Sequence, residues 1–262
     1  MTATASAHPH ERVRAARLAA PTHLTVVSPH LDDAVLSCFT LMRAATEVTV
    51  ITVFAGIPAA GTPAASWDRL TGAGDPRRRA RERRAEDRAA LAHVGGRPVH
   101  LDLLDGPYRS GAPDRDQLVA AIADRVPRRT TLLAVPAGFG THPDHHAVAA
   151  AGPEVAAQLG LDLVAYADYP YAAVYGWPAW VTRTPPHPML DPEVAWAPVR
   201  RRLAPHGLTS DVVIDLDRAT QQAKLAAFGC YASQVEVCEF GPSRMVSGPA
   251  RLRHELLLTR PA

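Results

Sequence analysis

Apolar runs and stretches of helical periodicity alternate along most of the chain. Runs such as Val48-Thr-Val-Ile-Thr-Val-Phe54 are continuously apolar and β-branched, which is typical of strands buried on both faces of a sheet. The pattern predicts strands at 23–28, 48–54, 98–104, 130–135, 163–167, 211–215 and 254–259, and helices at about 33–45, 77–93, 114–125, from 143, and at 217–229. This alternation predicts an α/β fold with a Rossmann-like, mostly parallel sheet and helices on both faces.

Two segments depart from this pattern. Residues 1–19 are rich in alanine and are expected to form a tail or a loosely attached helix. Residues 172–208 hold seven prolines and three of the four tryptophans with little periodicity. They are expected to form an irregular C-terminal elaboration over the sheet edge, a candidate lid or specificity segment. No clean linker divides the remainder, so a single domain over 20–262 is expected.

Composition excludes several classes of protein. A net charge of +2 over 262 residues gives no basis for a nucleic-acid or membrane surface. The N-terminus lacks the apolar core of a secretory signal, and no run approaches the length of a membrane span. Cys38, Cys230 and Cys238 share no metal-binding spacing and indicate a reducing compartment. A cytoplasmic protein is therefore expected, and its oligomeric state, including a homo-oligomer, is left open.

Clusters of histidine and aspartate follow two of the predicted strands. His30, Asp32 and Asp33 come where strand 23–28 gives way to a helix. The segment Thr141-His-Pro-Asp-His145 comes after strand 130–135, where the next helix begins. The carboxyl ends of strands in an open α/β sheet form the edge where ligands bind. The two clusters are therefore expected to meet there as a catalytic metal site.

The residue types indicate which metal this site would hold. His30 and Asp33 are three positions apart at a strand-to-helix turn, and His145 could supply a third ligand from the neighbouring loop. Two imidazoles and a carboxylate with an open position form the ligand set of a catalytic zinc, which lowers the pKa of bound water to about 7. Iron(II) accepts the same set, so zinc is an inference from residue type.

The remaining polar residues of the two clusters suit catalytic roles. Asp32 is not needed as a ligand and could take a proton from water and pass it to a leaving amine. His142 could stabilise an oxyanion or protonate the leaving group, and Asp144 could fix the tautomer of a histidine. Each residue alone also has a purely structural interpretation, since aspartate is a common helix N-cap. The coincidence of two such clusters at strand ends favours a metal site.

With these motifs in view, the chain resembles the PIG-L / LmbE-like family of zinc-dependent N-deacetylases. The segment Ser28 to Cys38 resembles the family's His-Pro-Asp-Asp signature, with Leu31 in place of the usual proline, and His142-Pro-Asp-His145 resembles its second motif. Weaker landmarks bring the match to most of residues 23–240; they are Arg83-Arg-Ala-Glu-Asp87, Asp105, Tyr166 to Tyr171, and Lys224 to Gln234.

The resemblance implies a function and a set of roles. It implies an enzyme that removes the N-acetyl group from an N-acetylated amino sugar or glycoside. The zinc ligands would be His30, Asp33 and His145, with Asp32 as general base and His142 as partner of the oxyanion. The motifs that contain Arg83 and Asp105 are less specific; by the same resemblance, these two residues would contact a sugar hydroxyl or phosphate. Some relatives carry a tyrosine at the position of Gly140, so either Tyr171 substitutes for it or His142 works alone.

Two alternatives remain open at the level of sequence. The first alternative has the same site but a different substrate: an amidase that acts on a larger acyl group or a thiol conjugate. The second is a non-catalytic, Rossmann-like protein that binds a sugar or a nucleotide. Against the second, no G-x-G-x-x-G follows the first strand, where Ser28-Pro-His-Leu-Asp32 stands instead.

Overall fold

The architecture is taken from a computed structural model that describes residues 10–15, 19–169, 171–189, 191–238 and 252–261. These residues form one eight-stranded sheet in the order β1-β7-β8-β6-β5-β2-β3-β4. Neighbouring strands are parallel except at β8, which runs antiparallel to β6 and β7. The strands are β1 (His10–Arg14), β2 (His23–Ser28), β3 (Glu47–Thr52), β4 (Gly96–His100), β5 (Leu132–Pro136), β6 (Asp162–Tyr166), β7 (Ser210–Asp215) and β8 (His254–Thr259).

Helices cover both faces of this sheet. Successive residues of a strand point to opposite faces, so each strand contributes apolar side chains to both layers. Val26 belongs to an apolar cluster with helix residues such as Phe39 and Phe228, whereas Val27 belongs to a second cluster with Ile122 and Val148. The helices are α1 (Asp33–Ala44), α2 (Ser66–Leu70), α3 (Pro76–Ala92), α4 (Arg115–Ala123), α5 (Pro143–Leu159), α6 (Tyr171–Tyr175), α7 (Ala179–Thr182), α8 (Glu193–Leu203), α9 (Arg218–Phe228) and α10 (Ala232–Cys238). Within the described ranges, none of them has the length and apolarity of a membrane span.

The strand order places a crevice at the centre of the sheet. From β2 the chain moves outward to β3 and β4, and then returns to β5 on the other side of β2. The connections that leave β2 and β5 therefore diverge to opposite faces at their carboxyl ends. Such a topological switch point is where open α/β sheets bind ligands. The predicted Rossmann-like, mostly parallel sheet with helices on both faces is confirmed.

The two segments outside the regular pattern differ from expectation. Residues 10–14, predicted as part of a tail or loose helix, form the edge strand β1, paired in parallel with β7. Residues 172–208 were predicted to be irregular, yet α8 runs through Pro198 and buries Trp196 completely. Proline interrupts helical periodicity in a sequence without always ending a helix in a folded protein. Residues 1–9 and 16–18 lie outside the described residues, and the single domain over 20–262 stays a prediction.

Candidate active site

The two histidine- and aspartate-bearing loops meet at the switch point between β2 and β5. Oδ2 of Asp33 lies 3.3 Å from Nδ1 of His30 and 3.2 Å from Nε2 of His145. The two imidazole rings are 5.3 Å apart between centroids. The turn that carries His30 is tied by Ser28, whose Oγ donates to the His30 carbonyl at 2.7 Å and accepts from the backbone N–H of Ala34 at 3.1 Å. Three ligand-type atoms from two remote loops thus converge.

Asp168, two residues after the end of β6, fixes the orientation of His145. Its Oδ1 accepts a hydrogen bond from Nδ1 of His145 at 2.6 Å, and its Oδ2 accepts from the backbone N–H groups of Gly138 at 2.7 Å and Phe139 at 3.1 Å. In the neutral form of the ring, which is the form that binds a metal, this bond keeps the proton on Nδ1 and leaves the lone pair of His145 on Nε2. That nitrogen is buried and makes no hydrogen bond within the described part of the chain. An unsatisfied, lone-pair-bearing nitrogen beside a carboxylate suits a bound cation.

A second group lies on the other side of the His30 ring. Nε2 of His30 lies 3.1 Å from Oδ2 of Asp144 and 3.6 Å from Oδ1 of Asp105. Asp144 is fully buried, and Arg109 contacts both of its oxygens, with Nη1 at 3.1 Å from Oδ2. The oxygens of Asp144 are thus engaged by a guanidinium, which repels a cation. A metal ion is better accommodated by the group of His30, Asp33 and His145 than by the group of His30, Asp105, His142 and Asp144.

The electrostatics of the site favour positive charge at its centre. Burial alone lowers the pKa of His145, but Asp33 and Asp168 outweigh burial and raise it to about 9. Burial would raise the pKa of Asp33, yet His145 and His30 hold it well below its usual range. The buried carboxylates of Asp33 and Asp168 therefore attract positive charge to this point. The imidazole rings of the protein supply only part of that charge.

His142 ends the β5–α5 loop as the N-cap of α5. Its Nδ1 accepts a hydrogen bond from the backbone N–H of Asp144 at 3.3 Å, so the proton of the neutral ring is on Nε2. Burial, with the charges of His30 and His145, lowers its pKa. The ring is 4.8 Å from that of His30 between centroids and meets it edge to face. His142 is therefore a neutral hydrogen-bond donor directed away from its own backbone.

Asp32 is the N-cap residue of α1, yet its side chain makes no cap hydrogen bond to the helix. The purely structural interpretation of this residue thus loses its main support. Burial and the neighbouring charge of Asp33 raise the pKa of Asp32 to about 6. A carboxyl group with a pKa between its ordinary value and neutrality is suited to take up and return a proton.

The residues expected to contact substrate lie around this centre. Nη1 of Arg83 is 3.9 Å from Oδ2 of Asp105, which links α3 to the loop that follows β4. The ring of Tyr171 meets that of His145 edge to face, with centroids 4.9 Å apart. Gly140, at φ +80°, passes so close that an added Cβ would lie 2.8 Å from the Tyr171 ring. The structure therefore brings Tyr171 to the position beside Gly140.

Sequence reasoning missed two of the residues in contact with these side chains. Asp168 stands in a segment, Tyr166 to Tyr171, that was noted without a role for the aspartate, although its place at the end of a strand is the same signal that marked His30. Arg109 had no such signal, because it lies in a loop 35 residues before its partner Asp144.

This geometry defines a class of protein. Two imidazoles and a carboxylate that could hold a cation lie at the switch point of a Rossmann-like sheet, with the carboxyl group of Asp32 and a neutral imidazole beside them. This set of groups is compatible with a metal-dependent hydrolase. The family model of PIG-L, described as GlcNAc-PI de-N-acetylase, matches residues 25–156, half of the chain. The chain belongs to the PIG-L family, and its activity is that of an N-deacetylase.

Solved structures give the same fold. Teicoplanin deacetylase Orf2, described as a zinc-inhibited form, is similar with a TM-score of 0.66 and 23% identity, over 90% of this chain and 97% of that one. The A40926 pseudoaglycone deacetylase Dbv21 is similar with a TM-score of 0.65 and 28% identity, over 92% and 99% of the two chains. Among curated protein sequences, none matches this chain significantly.

Proposed function

We propose that the protein hydrolyses the acetamide of an N-acetylated amino-sugar glycoside with the help of a zinc ion held by His30, Asp33 and His145. The observation that supports this most is the approach of two imidazole nitrogens to one carboxylate oxygen, at 3.3 and 3.2 Å. Both rings donate their other nitrogen's proton to a carboxylate, Asp144 for His30 and Asp168 for His145. The chain thus presents two nitrogen lone pairs and one anionic oxygen at one point, which fits a divalent metal.

The residues around this point divide the work of the reaction. A divalent metal bound there supplies Lewis acidity toward the acetamide carbonyl and lowers the pKa of water. Asp32 takes the proton of the attacking water and returns it to the amine nitrogen as the C–N bond breaks, giving acetate and the free amine. His142 donates from Nε2 to the carbonyl oxygen as negative charge develops there. Tyr171 lies beside Gly140, and its hydroxyl group would be a second hydrogen-bond donor to the carbonyl oxygen.

The substrate class follows from the family and from the polar residues beside the site. The family is described by a de-N-acetylase that acts on GlcNAc-PI, and two similar structures are deacetylases of teicoplanin and of the A40926 pseudoaglycone. In this chain Arg83 and Asp105 line the approach to His30. A guanidinium and a carboxylate together suit the vicinal hydroxyl groups of a sugar.

Acetate release from methyl N-acetyl-β-D-glucosaminide, compared with its N-hexanoyl analogue, tests the proposal. The metal-free protein is reconstituted with one equivalent of zinc or iron(II), and zinc is also added in excess because a neighbour is described as zinc-inhibited. We expect acetate release that requires the metal and is greatest with one equivalent of zinc. Release of hexanoate at an equal or higher rate would support the amidase alternative, and a folded protein that releases neither acid would refute the proposal.

Two variants separate metal binding from catalysis. Asp32→Asn is expected to bind one zinc ion and to lose about 10²- to 10⁴-fold in kcat, because its proton-transfer group is gone. His145→Ala is expected to lose the metal as well as the activity. His187, an exposed histidine, provides the control: His187→Ala should retain both. Full activity of the Asp32→Asn enzyme would contradict its role as base.

A further inference from the structure

A cleft opens next to the candidate metal site, between α2, α3 and the 3₁₀ turn Gly106–Tyr108. Its inner end is marked by Leu31, which lies between His30 and Asp32, and by Asp105. Along α3 it extends from Arg83 back to Pro76, seven residues or roughly 10 Å at the rise of an α-helix. The residues that line it include Phe54, Trp67, Arg79, Arg83, Asp105 and Tyr108, and no described residue of 172–208 is among them.

The inner end of this cleft carries charged groups. Arg83 and Asp105 both line it, whereas the guanidinium of Arg79 is already engaged by the carbonyl of Thr71 at 2.6 Å and by Glu82. Asp105 is in ion-pair range of Arg83 and His30. An apolar acyl chain passing here would desolvate these charges without compensation, whereas sugar hydroxyl groups can bond to them. The inner end therefore suits the amino sugar itself.

The side of the cleft formed by α2 and the 3₁₀ turn has a different character because its polar groups bond to one another. The hydroxyl of Tyr108 donates to Asp68 and accepts from the backbone N–H of Ala65 at 3.0 Å. What remains exposed is apolar: Trp67 is 40% exposed and Leu70, on the same short helix, is 73% exposed. A second sugar would find few free partners for its hydroxyl groups here, whereas an apolar ring would bury surface on both sides.

The indole of Trp67 is held in place by α10. Its Nε1 donates to Oε1 of Gln234 at 3.0 Å, and Gln234 is almost fully buried. The neighbouring Ser233 donates to both carboxylate oxygens of Glu86 on α3, from its backbone N–H at 2.8 Å and its hydroxyl at 2.6 Å. An exposed aromatic side chain whose orientation is fixed before binding is a platform that costs little entropy to use.

We propose that the α2 side of this cleft binds the aglycone of the substrate, an apolar and ring-containing group, and that Trp67 is the residue on which it stacks. The inference rests on the proposed function, since the amino sugar must lie between the metal site and Trp67. It assigns specificity to the segment that follows β3, in place of residues 172–208.

The test compares three substrates that share one N-acetylglucosamine and differ beyond it: the methyl glycoside, the phenyl glycoside and N,N′-diacetylchitobiose. We expect the zinc-loaded enzyme to prefer phenyl over methyl by about tenfold in kcat/KM, mainly through KM, which corresponds to a stacked aromatic pair. Trp67→Ala should remove that preference, and Trp67→Phe should keep part of it. Gln234→Leu, which frees the indole, should weaken it without removing the ring.

A matched control is Tyr175, an exposed aromatic residue of 172–208. Tyr175→Ala should leave the phenyl-to-methyl ratio unchanged. If Tyr175→Ala abolished the preference for the phenyl glycoside while Trp67→Ala kept it, residues 172–208 would determine specificity and the proposal would be wrong. Equal kcat/KM for phenyl and methyl glycosides, or a preference for the disaccharide over both, would also overturn it while leaving the deacetylase function intact. Deacetylation of none of the three would instead refute the proposed function.

Discussion

The carboxylate of Asp168 is expected to control metal affinity although it is not a ligand. It is fully buried and accepts three hydrogen bonds, two from backbone N–H groups and one from His145. In Asp168→Asn, the single carbonyl oxygen can face only one side. Facing the two backbone donors leaves fewer groups unpaired, so the NH₂ group is expected to face His145.

That arrangement reverses the tautomer of His145. Its Nδ1 must then accept a hydrogen bond, the ring proton moves to Nε2, and the lone pair is lost where the metal needs it. Changing such a supporting partner typically costs about 10- to 100-fold in metal affinity. The loss of one charge-assisted hydrogen bond adds a destabilisation of about 1–3 kcal/mol.

Competition for zinc with a chromogenic chelator measures the affinity, and thermal unfolding followed by circular dichroism measures the stability. Asp114→Asn is the control, because Asp114 is an exposed N-cap of α4 that accepts one hydrogen bond from Gln117 N–H. It should leave zinc affinity unchanged. If Asp168→Asn binds zinc within twofold of the unaltered protein, the tautomer argument is wrong.

Three further predictions concern single positions. Gly140→Ala should lower kcat in addition to lowering stability, because the new Cβ displaces Tyr171. Gly61→Ala, also at φ +80° but with open space around it, should lower stability alone. Steady-state kinetics and melting curves of the two variants test this difference. Tyr171→Phe should lower kcat by about 10²-fold if its hydroxyl aids the oxyanion, and unchanged kcat would assign that task to His142. Lys224→Met should lower the unfolding free energy by about 3–5 kcal/mol, because it leaves Glu255 buried without its partner at 2.7 Å, and adding Glu255→Leu should recover part of the loss in denaturant titrations.

Local sequence was enough to predict most strands and the two loops of the site. Each of those strands is a compact apolar run, and each loop carries its polar residues within nine positions of the strand end. Strand β1 was not predictable in this way, because four of the five residues of His10–Arg14 are polar or charged, and the segment forms an edge strand by pairing with β7. Its partner is about 200 residues away in the chain.

The network around the site was harder to predict for the same reason. The bond between Arg109 and Asp144, and that between Asp168 and His145, depend on how separate loops approach each other. The location of the cleft was also not deducible, since Trp67 lies in the glycine- and proline-containing stretch Gly56 to Gly74, which has no clear helical or strand periodicity. Residues 172–208 attracted attention by composition, yet Trp196 from that segment is buried in the core.

The antiparallel strand β8 has a consequence for how the chain assembles. Within the described residues, strands β1 and β7 are joined to the rest of the sheet through β8, which pairs with β6 at Ala165 and Tyr166. During synthesis, residues 10–14 therefore leave the ribosome first but wait for 254–259 before they join the sheet. Until then β6 presents an open edge, and a ribosome stalled ahead of β8 would expose it to pairing with other nascent chains.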